Sequence, residues 1–432
     1  MSSSFTFIVF SALLLLSQAV AKTSFRPKAL VLPVKKDPKT SQYLTHLRQR
    51  TPLVPVSLTL DLGGQFLWVD CEKGYVSSTK RPVECDSALC KLTGSGACTG
   101  CDPDKSDCKS TCSLIPDNSV KGVATSGDLD SDALSVQSTD GKNPGRAVSV
   151  SRFHFVCGAT FLLDGLARGV KGMAGLGRTP ISLPTQFSSA FKFPQKFAIC
   201  LSSGPRDGQG GVVFFGDGPY MFLPDIDAAN KLSYTSLIRN PVSTASAYFS
   251  GDASSEYFIG VKGIKINNKK VLINTTLLSI NKEGFGGTKI STVNPYTVLE
   301  TSIYKAVSSF FAKELSGLPR AKAVAPFEVC FPSKAIGATR VGPAVPQIEL
   351  VLSNKNVWTI FGMNSMVNVN NDVLCLGFVD GGAEPRTSIV IGGHTIENNF
   401  LQFDLEKKRL GFSSSLLFWR TTCANFNFTS NA

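Results

Sequence analysis

The stretch Val56-Ser-Leu-Thr-Leu-Asp61-Leu-Gly63-Gly64-Gln-Phe-Leu-Trp68-Val-Asp-Cys71 decides how the chain is read. An apolar strand runs into a carboxylate on a Gly-rich turn, and a second apolar strand leaves it. This layout presents one Asp at the tip of a turn held on both sides by β structure. Such a carboxylate becomes half of a proton-sharing dyad only when a second carboxyl stands about 3 Å away. The remaining sequence either supplies that partner or withholds it.

Residues 1–21 carry no charged side chain, contain the apolar run Phe5 to Leu16 and end in Ala19-Val20-Ala21. They read as a secretory signal peptide, although the n-region lacks the usual Lys or Arg. The apolar run falls short of the roughly 20 residues that a membrane span needs, so a membrane protein is not expected. All twelve cysteines follow the leader, and in an oxidising compartment their even number predicts six disulfides. Six crowd into an insert at 85–112: Cys85, Cys90, Cys98, Cys101, Cys108 and Cys112. Cys98-Thr-Gly-Cys101 has zinc-knuckle spacing, but the chain holds only three His, and secretion favours bridging, so no metal or other cofactor is expected. The net charge of +12 suits solubility, an acidic cell-wall polysaccharide or an acidic protein partner. With no long Lys/Arg run and no binding motif, nucleic acid is not expected. Asn274-Thr-Thr276 and Asn427-Phe-Thr429 are sequons for N-glycosylation.

Short alternating runs predict a mainly β protein, among them 147–156, 211–215, 257–266 and 388–391. One helix is predicted over Thr301 to Leu315, with Ile303, Val307, Phe310 and Phe311 on one face and Thr301 as its cap. Gly172-Met-Ala-Gly175-Leu-Gly177 is an incomplete nucleotide loop, so its glycines are read as letting strands pass closely beneath the turn. His46, His154 and His394 give no local support to a Ser/His/Asp arrangement, and His394 reads as a strand or turn residue.

The Asp61 turn with its Leu-Trp-Val strand resembles the first active-site turn of the pepsin-like aspartic proteases, as do the Ala-Gly-Leu-Gly-Arg segment and the closing run from Ile389 to Phe412. That resemblance implies a bilobal, mainly β pepsin-like fold, with an N-terminal lobe over 22–220 and a C-terminal lobe over 221–432. It places the second catalytic turn at Thr288-Lys-Ile-Ser291-Thr-Val293-Asn294, where Ser291 takes the Asp position and Val293 the Gly position. A hydroxyl cannot share a proton symmetrically with Asp61, and Val293 resists any positive-φ conformation that a Gly would supply. The family's flap Tyr matches a position near Ser119, and no Tyr lies between Tyr75 and Tyr220. The chain is therefore expected to have lost the enzymatic activity, with Asp61 left as a structural carboxylate bonded to the neighbouring turn.

The closer match is to the catalytically inactive plant branch. This branch includes extracellular dermal glycoprotein and xyloglucan-specific endoglucanase inhibitor protein, with wheat xylanase inhibitor and basic 7S globulin more distant. Leu30-Val-Leu-Pro-Val-Lys-Lys36, Gln49-Arg-Thr-Pro-Leu-Val54, Asn294-Pro-Tyr-Thr-Val-Leu299 and Arg420-Thr-Thr-Cys-Ala-Asn-Phe-Asn-Phe-Thr429 carry it. The resemblance implies a secreted, apoplastic, monomeric inhibitor of a microbial family 12 xyloglucan endoglucanase, acting in plant defence. It offers Arg320 and Arg386, each after a Pro, to the carboxylates of the enzyme's cleft. A retaining glycosidase holds two carboxyls about 5–5.5 Å apart, and the planar guanidinium fork suits them better than an ammonium. Glu384 is a competing partner for Arg386. Trp419 and Arg420 replace the His that the wheat-type inhibitor uses, which weighs against xylanase. The resemblance also implies the pairs Cys330–Cys375 and Cys200–Cys423, leaving Cys71 through Cys157 to bridge among themselves. The rival readings are a wall or peptide-ligand binding protein of the 7S globulin type and a residual aspartic endopeptidase.

Overall fold

Val56, Leu58 and Leu60 point one face of the strand Val54–Asp61 into the core, and the strand ends at the carboxylate itself. In this computed structural model, residues 25–95, 97–100, 110–204, 210–248 and 251–429 are described. The predicted signal peptide, Cys101 and Cys108 lie outside the described residues.

Each half of the chain builds the same crossing. In the first, Val54–Asp61 runs parallel to Gly172–Gly175, with Asp61 opposite Gly175. Gly172–Gly175 then pairs antiparallel with Leu67–Asp70, which is parallel to the strand ending at Gly158. In the second, Thr288–Ile290 runs parallel to Ile389–Ile391, which pairs antiparallel with Thr297–Leu299, itself parallel to Phe378–Asp380. Ser291 therefore follows its strand where Asp61 ends its own. The expectation about the 172–177 glycines holds: a Cβ at Gly175 would sit 2.3 Å from the Phe66 carbonyl oxygen, too close for any larger residue.

A shared antiparallel sheet joins the halves. Its order is Arg409–Phe412, Phe400–Asp404, Lys196–Cys200, Gly211–Gly216 and Ala29–Lys36. Beneath it, Phe197 stacks on Phe403 with ring centroids 4.7 Å apart and meets Tyr257 edge-on at 5.8 Å. The disulfides Cys200–Cys423 and Cys330–Cys375 form as expected. In the first half Cys71 pairs with Cys157, Cys85 with Cys98, and Cys90 with Cys112. Cys98 is thus committed to a bridge, and the insert it belongs to includes a short helix, Ala88–Leu92, and the strand pair Ala97–Thr99 and Thr111–Leu114.

Three local expectations change, the first being that His394 lies on the short helix Gly393–Ile396 and not in a strand or turn. The run 257–266 is two strands, Tyr257–Ile259 and Val261–Ile266, which pair in different sheets. The helix spans Thr301–Glu314, and its cap is Glu300, whose carboxylate accepts from the Ser302 and Ile303 amides at 2.9 and 3.1 Å. Thr301 instead donates its hydroxyl to Asp380 at 2.6 Å. A carboxylate outcompetes a hydroxyl at a helix N-terminus because it meets the positive end of the dipole with full charge.

Phe197 fills the space under the shared sheet, so Phe197→Ala should cost about 3–5 kcal/mol. Guanidinium unfolding of both proteins measures this, and a loss below about 1 kcal/mol would show that the sheet does not depend on this ring.

Candidate functional site

The two turns meet through a hydroxyl. Thr292 accepts a hydrogen bond from the Leu62 amide at 2.9 Å and donates to the Leu60 carbonyl at 2.8 Å. Leu62, at the matching place in the first turn, has no polar side-chain atom with which to reciprocate. Ser291 is buried, and its oxygen accepts from the Val293 and Asn294 amides at 3.2 Å each, so the hydroxyl that replaces a carboxyl braces its own turn. Val293 is not strained: its backbone is outside the left-handed region, as is that of Gly63, so the expected φ penalty does not arise. What separates the two positions is space. A Cβ at Gly63 would meet the Glu256 side chain at 2.6 Å, whereas Val293 packs on the Phe66, Trp68 and Leu162 cluster.

Asp61 is held by two donors, the Gly63 amide on one oxygen at 2.9 Å and the Ser119 hydroxyl on the other at 2.6 Å. Its bonds therefore run to its own turn and the flap; the neighbouring turn is reached through Thr292. Ser119 follows the hairpin strand Asp117–Asn118, paired with Val123–Ala124. Asn118 fixes that hairpin by donating to the Leu162 and Asp164 carbonyls at 2.8 Å, and Trp68 donates to the Asp117 carbonyl at 2.9 Å. The flap position without a Tyr thus supplies a hydroxyl latch on Asp61.

Three acids crowd this region. Burial raises the Asp61 carboxyl above its ordinary range, while the Ser119 bond opposes that shift and Glu256 adds to it. Asp117 is pushed up to about 7 by burial, then by repulsion from Asp61 and Glu256. Glu256 is paired with Lys289 at 2.7 Å. Asp117, Glu256 and Lys289 carry no local sequence signal, because nothing local marks residues that converge only on folding.

Arg386 is half-buried. One terminal nitrogen donates to the Ser243 carbonyl at 2.8 Å, and the guanidinium carbon lies 4.9 Å from the Phe285 ring and 5.8 Å from the Tyr248 ring. Among the described residues no ion pair joins it to Glu384. Arg320 is exposed, with donors on the Cys330 and Glu328 carbonyls at 3.2 and 3.3 Å and the Phe331 ring at 5.0 Å. Asn274 and Asn427 each accept from the amide and hydroxyl of their sequon Thr. His394 lies between two acceptors, Glu397 at 3.2 Å and the Met366 carbonyl at 2.9 Å. Among the described residues no group of three His, Cys, Asp or Glu side chains could hold a metal ion.

Paired crossings, back-to-back turns and a hairpin over the first of them define a bilobal pepsin-like protein. Residues 43–217 match the model of the xylanase inhibitor N-terminal family, and 256–414 that of the xylanase inhibitor C-terminal family. The chain belongs to this xylanase-inhibitor-type family. It is 67% identical over 419 residues to Probable aspartic proteinase GIP2 of Nicotiana benthamiana, covering 96% of this chain and 95% of that one. The crystal structure of edgp is similar at 57% identity and a TM-score of 0.90, covering 94% of this chain and 100% of that chain. That of basic 7S globulin from soybean is similar at 35% identity and a TM-score of 0.79, with the same coverage. An aspartic proteinase from Irpex lacteus, 14% identical with a TM-score of 0.55, shares the fold alone.

Thr292→Val strands a buried amide and carbonyl and should cost about 1–3 kcal/mol in denaturant unfolding, with Thr292→Ser recovering most of it. For Asp117, the unfolded carboxyl titrates near 3.9 and the folded one at about 7. Its contribution to stability is therefore fully present below about pH 4 and is lost as pH rises toward 7. Melting temperatures across that window should fall less steeply for Asp117→Asn than for the parent protein; parallel curves would count against the shift.

Proposed function

We propose that this protein is secreted, does not hydrolyse peptides, and inhibits a microbial glycoside hydrolase in plant defence, with a family 12 xyloglucan-specific endo-β-1,4-glucanase as its target. The observation that carries the reading is Arg386. Its guanidinium is braced by Ser243 and two rings and is not ion-paired with Glu384, and it retains access to solvent. A prearranged fork loses less conformational freedom on binding, where ordering a long side chain costs about 0.5–1.5 kcal/mol. It meets the carboxylate pair of a retaining glycosidase with matching charge and planarity. Arg320 serves as a second, weaker contact, since its donors are shared with its own loop. The family match supports inhibition of a polysaccharide hydrolase as the class of activity. An apoplastic or cell-wall setting is supported by the leader sequence and the disulfides.

Absence of proteolysis rests on Ser291 in place of a carboxyl and on the Ser119 latch over Asp61. Peptide cleavage at acid pH should be undetectable, and Asp61→Ala should leave that result unchanged; cleavage abolished by this substitution would restore the endopeptidase reading. In a xyloglucan hydrolysis assay, Arg386→Ala should weaken inhibition roughly thirtyfold, as for loss of ~2 kcal/mol at a hot spot. Arg320→Ala should have a smaller effect. An unchanged inhibition constant for Arg386→Ala would remove this residue from the interface. Likeness to basic 7S globulin keeps a non-inhibitory wall or peptide-ligand binding role as the second reading, favoured if ligand binding persists with no enzyme inhibited.

A further inference from the structure

Where the two halves adjoin, a cavity of about 230 Å³ is lined by Arg178, Leu237, Arg239, Leu405 and Lys408. Arg178 comes from the segment after Gly177 in the first half. The other four come from the second half, on or beside Ser233–Ile238 and the turn linking Phe400–Asp404 to Arg409–Phe412. The lining includes three cations and no carboxylate. The nearest acid in sequence, Glu406, accepts from the Gln195 amide at 2.9 Å, and Asp404 pairs with Arg409 at 3.3 Å. Glu256, whose backbone Arg178 touches, has its carboxylate on Lys289.

The cations differ in how they are held. Arg178 donates to the Ile238 and Glu256 carbonyls at 2.8 and 2.7 Å, and its Nε is buried without a partner. Burial lowers its pKa, and the nearby Arg239 acts in the same direction. Arg239 and Lys408 are exposed, with no side-chain hydrogen bond or ion pair among the described residues. Cations facing one another across a concavity without a counter-charge repel, and an anion between them removes that repulsion while gaining charge-assisted hydrogen bonds.

We propose that this cavity is a binding site for a small oxyanion, gripped by Arg239 and Lys408 against the fixed guanidinium of Arg178. Its volume lies below the roughly 300–1,000 Å³ of pockets that take drug-sized ligands. It therefore fits one phosphate-like ion or one acidic sugar ring, with Leu237 and Leu405 against the apolar face of such a ring.

Isothermal titration of the whole secreted protein with sodium phosphate, and separately with sodium galacturonate, tests the site at ionic strength held constant with sodium chloride. Saturable one-site binding of at least one probe is expected, with a dissociation constant of ~1 mM or tighter. Arg239→Ala with Lys408→Ala should weaken it roughly tenfold or more. Both side chains are exposed, so folding should survive. As an independent readout, the melting temperature of the unaltered protein should rise with the bound probe but not with chloride. Galacturonate alone binding identifies an acidic sugar as the ligand source, and phosphate alone binding identifies a phosphate. Heats indistinguishable from chloride for both probes, or binding unaffected by the double substitution, overturn the site.

Discussion

The hydroxyl of Thr292 ties the two turns to each other. It accepts from Leu62 and donates to Leu60, and so fixes one turn against the other at a buried point. The reciprocal contact is apolar, because Leu62 is fully buried in the core. One side of the junction is thus directional and the other is packing. Asp61 lies between Leu60 and Leu62, and the Ser119 latch depends on its position.

Acidic groups gather around the two turns of a chain that is basic as a whole. The whole chain carries a net charge of +12. Around the two turns, Asp61, Asp117 and Glu256 lie close enough to influence one another, and Lys289 pairs with Glu256. Burying carboxyls with too few counter-charges favours their neutral forms. Burial thus favours the protonated forms of Asp61 and Asp117.

Much of the fold was legible because its signals are local or repeated. Gly63, Gly64 and the flanking apolar runs mark the first turn, and the equivalent frame around Ser291 marks the second. The pairs Cys200–Cys423 and Cys330–Cys375 came through likeness to relatives, since spacing alone cannot set connectivity. The site was legible only in part. Ser119 could be placed near the flap tip, but its bond to Asp61 joins residues 58 apart and depends on the hairpin's approach. The aromatic bracket around Arg386 draws Tyr248 from 138 residues away. Thr301 misled because a hydroxyl at the start of a helical pattern signals a cap, and Glu300, one residue earlier, made the stronger bond.

The duplicated crossing also bears on how such a protein changes over time. Each half builds its turn with its own strands, its own close-packed glycines and its own backbone hydrogen bonds. The residue at a turn's tip is therefore nearly independent of the scaffold that presents it. Ser291 occupies its position without disturbing the strands on either side, and Val293 beside it takes up apolar contacts. A fold made by repetition can exchange the residue at one copy's turn while both copies keep their architecture.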